Sequence, residues 1–205
     1  MDKPNLSELR IETRWYQDMW SAIKNATMTT IGKDKGKYPD SEWKRSLLMA
    51  EHSPIRIGHI ISKIYRAPQF VHGHLVRHHV GVTPFISTLR ADRNNYDETP
   101  NRNTLQEGEY DYNFQSLIDI SKKRLCNCAS KETRETWKKV KEKVAEVEPE
   151  LAECMVRECV YRNGLCPEMF TCNYIHTKEF EEELKRYTKF LNDRNQICEK
   201  TNINK

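Results

Sequence analysis

The sequence predicts a mixed α/β chain whose second half is mostly helical. Three observations carry this. The β-branched, loosely alternating run from Ile57 to Arg66 reads as a strand. Two later stretches, Asn113 to Cys126 and Ser130 to Glu148, repeat apolar residues at helical spacing. The 205 residues show no internal repeats and no low-complexity segments, which suits one ordinary domain or one domain with a small appendage.

Taken in order, the first helical pattern runs from Thr13 to Thr27, with Trp15, Met19, Trp20 and Ile23 recurring. Lys33-Asp34-Lys35-Gly36-Lys37 reads as a charged loop. Asp40 or Ser41 is a candidate N-cap for a short helix with Trp43, Leu47 and Leu48 on its apolar face. His52-Ser53-Pro54 ends that helix, and the strand Ile57–Arg66 follows. Ala67-Pro68 stops the strand, and Pro68 suits the first turn of a helix carrying Phe70 to about His79. Gly81, Pro84 and the polar stretch from Asp92 to Gly108 read as turns and loop. Ser130 is the N-cap expected for the helix ending near Pro149, whose stripe is Trp137, Val140, Val144 and Val147. A shorter helix follows through Leu151, Ala152, Met155 and Val156. The last helix spans about Lys178 to Leu191.

Composition bounds the function. Hydrophobic residues make up 37% and charged residues 31%, polar for a globular chain but above the range of disorder. That apolar fraction fits a chain that completes its core by oligomerising. A net charge of +4, from 34 basic and 30 acidic residues, is too balanced for nucleic-acid binding by bulk electrostatics. No run approaches the roughly 18 apolar residues of a membrane span, and Met1-Asp2-Lys3-Pro4 does not begin a signal peptide. A cytoplasmic protein with its seven cysteines reduced or metal-bound is expected.

The chemistry-bearing residues cluster. Six of the seven histidines lie between His52 and His79. If the helix after Pro68 continues, His74, Arg77 and His78 share one face at i, i+3 and i+4. Imidazole and guanidinium groups make a poor core face, because each buried donor needs a partner. Such a face suits an anionic or heteroaromatic ligand, or is simply solvated. Ser87-Thr88-Leu89-Arg90-Ala91-Asp92-Arg93 offers hydroxyls and guanidinium forks, the groups that grip phosphate; an exposed basic loop is the plainer reading. Asn113 and Arg124 stand about three helical turns apart on one face, with Ser116, Asp119 and Ile120 near it.

Together these segments resemble the flavin-dependent thymidylate synthases. That family's signature is Arg-His-Arg, seven residues, then Ser. Here Arg77-His78-His79 is followed by Val80 to Ile86 and then Ser87. The family's strand, Ala-Pro break and helix are matched by Ile60–Arg66, Ala67-Pro68 and Gln69–Val76. Its later helices look similar to Asn113-Phe114-Gln115-Ser116-Leu117 with Lys123-Arg124, and to Trp137 through Pro149. Departures are His79 for Arg, Leu89 where the family has Arg (with Arg90 one place late), Pro84-Phe85 for Asn-Glu, and a shortened stretch before Asn113. The resemblance covers about residues 15 to 150.

The resemblance implies roles and architecture. Arg77, His78, His79 and Asn113 would contact flavin adenine dinucleotide (FAD), and His59 would stand near the family's strand histidine. Ser87 and Arg90 would hold the uridylate phosphate, and His74 would touch the nucleotide. Arg124 would lie against the pyrimidine as the catalytic residue. The fold implied is α/β (α+β), an antiparallel-rich sheet flanked by helices, assembled as a homotetramer whose sites use several subunits. The activity implied is methyl transfer to C5 of dUMP, with NADPH and methylenetetrahydrofolate as co-substrates. Two alternatives stay open: another flavin-dependent one-carbon step on a pyrimidine nucleotide, such as hydroxymethylation, and a non-catalytic Cys/His metal-binding interaction module.

Residues 1–150 would form the family-like domain and residues 151–205 a Cys-rich helical extension. Cys154, Cys159, Cys166 and Cys172, with Cys126 and Cys128 as added candidates, could hold zinc or an iron–sulfur cluster near the Gly164/Pro167 turn. The other reading is buried free thiols packed as small apolar groups.

Overall fold

The computed structural model describes residues 8–15, 18–33, 36–93 and 99–202. Met1-Asp2-Lys3-Pro4, the centre of the charged loop at 34–35 and residues 94–98 of the expected polar loop lie outside them. The elements are β1 (Arg10–Trp15), α1 (Met19–Thr30), α2 (Ser41–Met49), a 3-10 turn (Ser53–Ile57), β2 (His59–Pro68) and α3 (Gln69–Leu75). They continue with β3 (Val82–Ile86), β4 (Leu105–Asn113), α4 (Phe114–Arg124), α5 (Lys131–Val147), α6 (Pro149–Cys154), α7 (Glu158–Tyr161), a second 3-10 turn (Tyr174–His176) and α8 (Lys178–Asn202). The four strands form one antiparallel sheet in the order β1-β2-β4-β3. Thus the expected class, an antiparallel sheet with helices and a helical second half, is what folds. No helix among the described residues is long and apolar enough to cross a membrane.

The core sits between one face of the sheet and the helices. Ile60 and Ile64 of β2, Tyr110 and Tyr112 of β4, and Trp137, Val140 and Val144 of α5 are all fully buried there. Along β4 an aromatic ladder runs inward. The His72 and Tyr110 rings stack with centroids 6.0 Å apart, Tyr110 and Tyr112 at 5.4 Å, and Trp137 meets Tyr112 edge-on at 5.5 Å. Gly108 leaves room for this ladder, since a Cβ there would stand 2.8 Å from the His72 ring. Capping fixes the helix starts, at Asp40 and Ser130 as expected and also at Asn113. Asp40 accepts from Trp43 N, Asn113 from Ser116 N, and Ser130 from Thr133 N.

Several boundaries differ from the sequence reading. Thr13–Trp15 belongs to β1, because Ile11 is buried and the β-branched Thr13 bonds back to Lys143 O of α5 at 3.0 Å. The helix expected to reach His79 stops at Leu75. It buries only Val71, His72 and Leu75, contains Gly73, and has nothing to pack past Val76, where Arg77, His79 and Val80 are exposed. Ile57 sits in the 3-10 turn, and β2 runs on to Pro68 through a bulge between Ile64 and Ala67, where Arg66 adopts φ 55°. Pro84 and Leu105–Gly108, expected as turns and loop, lie in β3 and β4. Pro84 is tolerated because β3 is a sheet edge. A second, smaller core gathers Val156, Cys159, Val160, Tyr174 and Phe180. Leu151–Met155 pack into the main core instead, except the exposed Glu153.

Candidate active site

The signature run is placed by the end of α3 and the turn into β3. His78 N–H bonds to Leu75 O at 3.0 Å, and Gly81 takes φ 71°. Gly81 O then accepts from Asn113 N at 2.9 Å, which fastens the turn to the start of α4. A Cβ on Gly81 would stand 2.3 Å from Asn113 Nδ2, so only glycine brings the signature this close to the cap. His59 opens β2 opposite Asn113, and its Nδ1 contacts Asp111 Oδ1 at 2.8 Å.

Arg124, the last residue of α4, meets this turn. Its Nε donates to His78 Nε2 at 2.8 Å and its terminal nitrogen donates to His74 O at 2.9 Å. An accepting Nε2 leaves the proton of His78 on Nδ1. Burial, followed by the Arg124 charge, pushes the His78 imidazole down to about 4, so it is neutral around pH 7. His74 is lowered too, by burial and then by Arg124, Arg77 and Arg102, while its Nδ1 bonds Thr133 Oγ1 at 2.8 Å. Burial and then the nearby Arg77 lower the Arg124 guanidinium as well. Among the described residues neither Arg77 nor Arg124 forms an ion pair with a carboxylate. A cleft of about 190 Å³ opens beside them, lined by Arg77, His78, His79, Val80, Ser116, Asp119 and Ile120. Asp119 is engaged elsewhere, by Lys122 at 2.9 Å. The result is a polar recess with Arg77 and Asp119 as charged lining and Val80 and Ile120 as apolar walls, suited to a heteroaromatic ligand.

The fold therefore gathers Arg77, His78, His79, His74, Asn113 and Arg124, with His59 beside Asn113. His78 reaches the site from a turn, not from the helical face expected for it. Ser87 and Arg90 are not brought here. Ser87 lies just past the far end of β3, where its Oγ accepts from Glu107 N at 3.2 Å, and Arg90 pairs with Asp92 at 2.6 Å in an exposed loop. Asp111 and the role of Thr133 were invisible in sequence. Asp111 lies in β4, a strand the sequence does not announce and whose first residues, Leu105–Gly108, read as loop, and Thr133 carries no spacing signal toward His74. A larger cavity of about 420 Å³, lined in part by Lys141, Glu153, Glu183 and Tyr187, contains none of the expected residues.

The cysteines separate differently from the expected set. Cys154 is buried against the main core and its thiol donates to Glu150 O at 3.5 Å. The thiols that converge are Cys126, Cys128 and Cys172, all within 4.8 Å of one another.

Comparison with known proteins defines the fold class. It is the fold of the flavin-dependent thymidylate synthases. Thymidylate synthase X from Helicobacter pylori, solved with FAD and dUMP, aligns over 72% of this chain and 99% of its own, with TM-score 0.58 and 12% identity. A second structure of the H. pylori enzyme with the same ligands aligns over 71% and 100%, with TM-score 0.58 and 13% identity. The UMP/dUMP methylase PolB from Streptomyces cacaoi, bound with 5-Br dUMP, covers 72% of this chain and 94% of its own at TM-score 0.57 and 14% identity. No protein-family model and no curated protein matches the sequence.

Proposed function

We propose that this chain is a flavin-dependent enzyme that transfers a one-carbon unit from methylenetetrahydrofolate to C5 of dUMP, with FAD as cofactor and NADPH as reductant. The observation that carries the proposal is the half-buried Arg124 guanidinium, held by neutral His78 and His74 O beside Arg77, with neither arginine in an ion pair with a carboxylate among the described residues. Its support is the shared fold with proteins solved with FAD and dUMP.

The residues present fit a flavin and a pyrimidine. The ring systems are flat and carry carbonyl acceptors, and the recess offers the Arg77 guanidinium between Val80 and Ile120, with Arg124 bonded to His78 of its lining. When bound, FAD supplies the redox and one-carbon relay chemistry. Arg124 donates to the pyrimidine carbonyl or N3 and stabilises the negative charge that develops there. His78 is an acceptor toward Arg124 and keeps the guanidinium oriented without adding a competing charge. Arg77 and His79, both exposed at the rim, hold the flavin side. Asn113 has Oδ1 committed to its helix cap, which leaves Nδ2 for a ligand.

A recess of about 190 Å³ is smaller than the roughly 300–1,000 Å³ of ordinary ligand pockets, and a whole dinucleotide needs walls from elsewhere. β3 has five residues, so Ser87 stands about 17 Å from the signature turn. We assign Ser87 and Arg90 to the phosphate of a nucleotide bound at a neighbouring copy's site, in a homotetramer. The extension beyond the family-like domain then begins at Val156, not at residue 151 as expected, because Leu151, Ala152, Cys154 and Met155 pack into the main core.

Titration with FAD tests the reading. Quenching of flavin fluorescence and a raised melting temperature are expected; absence of both at saturating FAD refutes it. Tritium release from C5-labelled dUMP then separates turnover from binding. Arg124→Ala should cut turnover about 10²–10³-fold with FAD still bound. The likeness to a UMP/dUMP methylase favours UMP as a second substrate, and the same release assay with labelled UMP decides it.

A further inference from the structure

We infer that Cys126, Cys128 and Cys172, closed by Cys159, form a structural zinc site that ties the segment after residue 156 to the end of α4. The ligand atoms of the first three lie within 4.8 Å of one another. A tetrahedral zinc with bonds of about 2.3 Å holds its sulfurs roughly 3.8 Å apart, so small side-chain rotations close the set. Cys159 belongs to the small core against which Cys172 packs. Four thiolates fill a tetrahedral zinc and leave no open position, which makes the site structural. On binding, four thiol protons leave to solvent and no redox change occurs.

The loop geometry is built for this. Cys128 N–H points at Cys126 Sγ, 3.5 Å away, the polar contact a thiolate requires. The two sulfurs come from the α4–α5 connection and the third from a segment 44 residues later, so side-chain packing along one helix does not explain their meeting. Residues 162–173 have no helix or strand. Their large apolar side chains face outward: Leu165 is 72% exposed, Met169 91% and Phe170 82%. Hydrophobic burial of these side chains therefore does not hold this segment, while Cys172 packs half-buried against the small core. Other ties across this junction among the described residues include the Lys122 ammonium over the Tyr161 ring at 3.8 Å, the Cys128 thiol on Phe170 O at 3.5 Å and the half-exposed Lys123–Glu168 pair at 3.0 Å. A surface pair of that kind contributes little. The small core has five buried residues, the situation in which a metal supplies the missing stability. Cys126 is two residues past Arg124, so the ion also fixes the frame in which α4 ends.

The test is metal content of the full chain, grown with added zinc and purified without chelator. About one zinc per chain is expected, and cobalt exchanged into the protein should show the visible bands of a tetrahedral tetrathiolate. Because loss of an outer-shell partner already costs about 10–100-fold in affinity, Cys128→Ser and Cys172→Ser should each weaken zinc binding at least about 100-fold. Cys154→Ser, whose sulfur lies in the main core, should keep the ion. Wild-type zinc below about one per five chains overturns the proposal whether or not the variants fold. So does zinc retained in both Cys128→Ser and Cys172→Ser, iron in its place, or a disulfide from Cys172 to Cys126 or Cys128 in peptide mapping.

Discussion

His78 shows how a residue's role depends on what meets it. In sequence it is one basic-looking member of Arg77-His78-His79; in the fold it is a neutral acceptor for Arg124. Its ordinary value is 6.5 and burial beside Arg124 brings it to about 4. Between those values the unfolded chain binds the proton and the folded chain does not. Stability from this group is therefore complete above pH 6.5 and declines as the pH falls toward 4. His72 and His74 are lowered as well and act in the same direction. NMR titration of the assigned His78 ring should give a midpoint near 4, and a midpoint at or above 6.5 would mean that Arg124 does not donate to it. The arginines and histidines of the site were legible from composition and signature spacing. The pairing of Arg124 with His78 was not, because it joins residues 46 apart through the meeting of two element ends.

At the scale of elements, legibility followed the chemistry of the inward positions. α2 and α5 announce themselves through Asp40 and Ser130 as caps, and all of α2, α4 and α5 through regular apolar stripes. β4 does not, because two of its four buried positions are Gln106 and Gly108, so the period-two pattern carries no hydrophobic signal. β3 is hidden by Pro84, which an edge position permits. The junction of these two strands with α4 is the turn at Gly81, and it yields a direct prediction. Gly81→Ala puts a side chain in left-handed backbone and a Cβ 2.3 Å from Asn113 Nδ2. The strain should cost about 1–3 kcal/mol and lower the melting temperature by several degrees. Asn113→Ala alone loses a cap worth about 1 kcal/mol, so the double variant should fall short of the sum. A melting temperature unchanged in Gly81→Ala would show that the turn is not what fastens the signature to α4.

At the scale of the whole molecule, the residues assigned to the proposed site fall into two separate groups. Arg77, His78 and Arg124 meet at one end of β3, and Ser87 leads into the Arg90 loop at the other. A strand is rigid along its length, so no side-chain motion brings both ends onto one nucleotide. If both halves serve the proposed reaction, each site must combine the first half of one chain with the second half of another. This converts an architectural claim into a kinetic one. Arg124→Ala and the paired change Ser87→Ala with Arg90→Ala should each cut turnover at least about 100-fold alone. Unfolded together and reassembled in equal amounts, they should recover about a quarter of wild-type activity, because a quarter of the sites then receive two intact halves. Sedimentation and mass spectrometry would first establish that mixed oligomers had formed. Mixed oligomers with no recovered activity would place Ser87 and Arg90 outside the site and return the exposed Arg90–Asp92 pair to an ordinary surface loop.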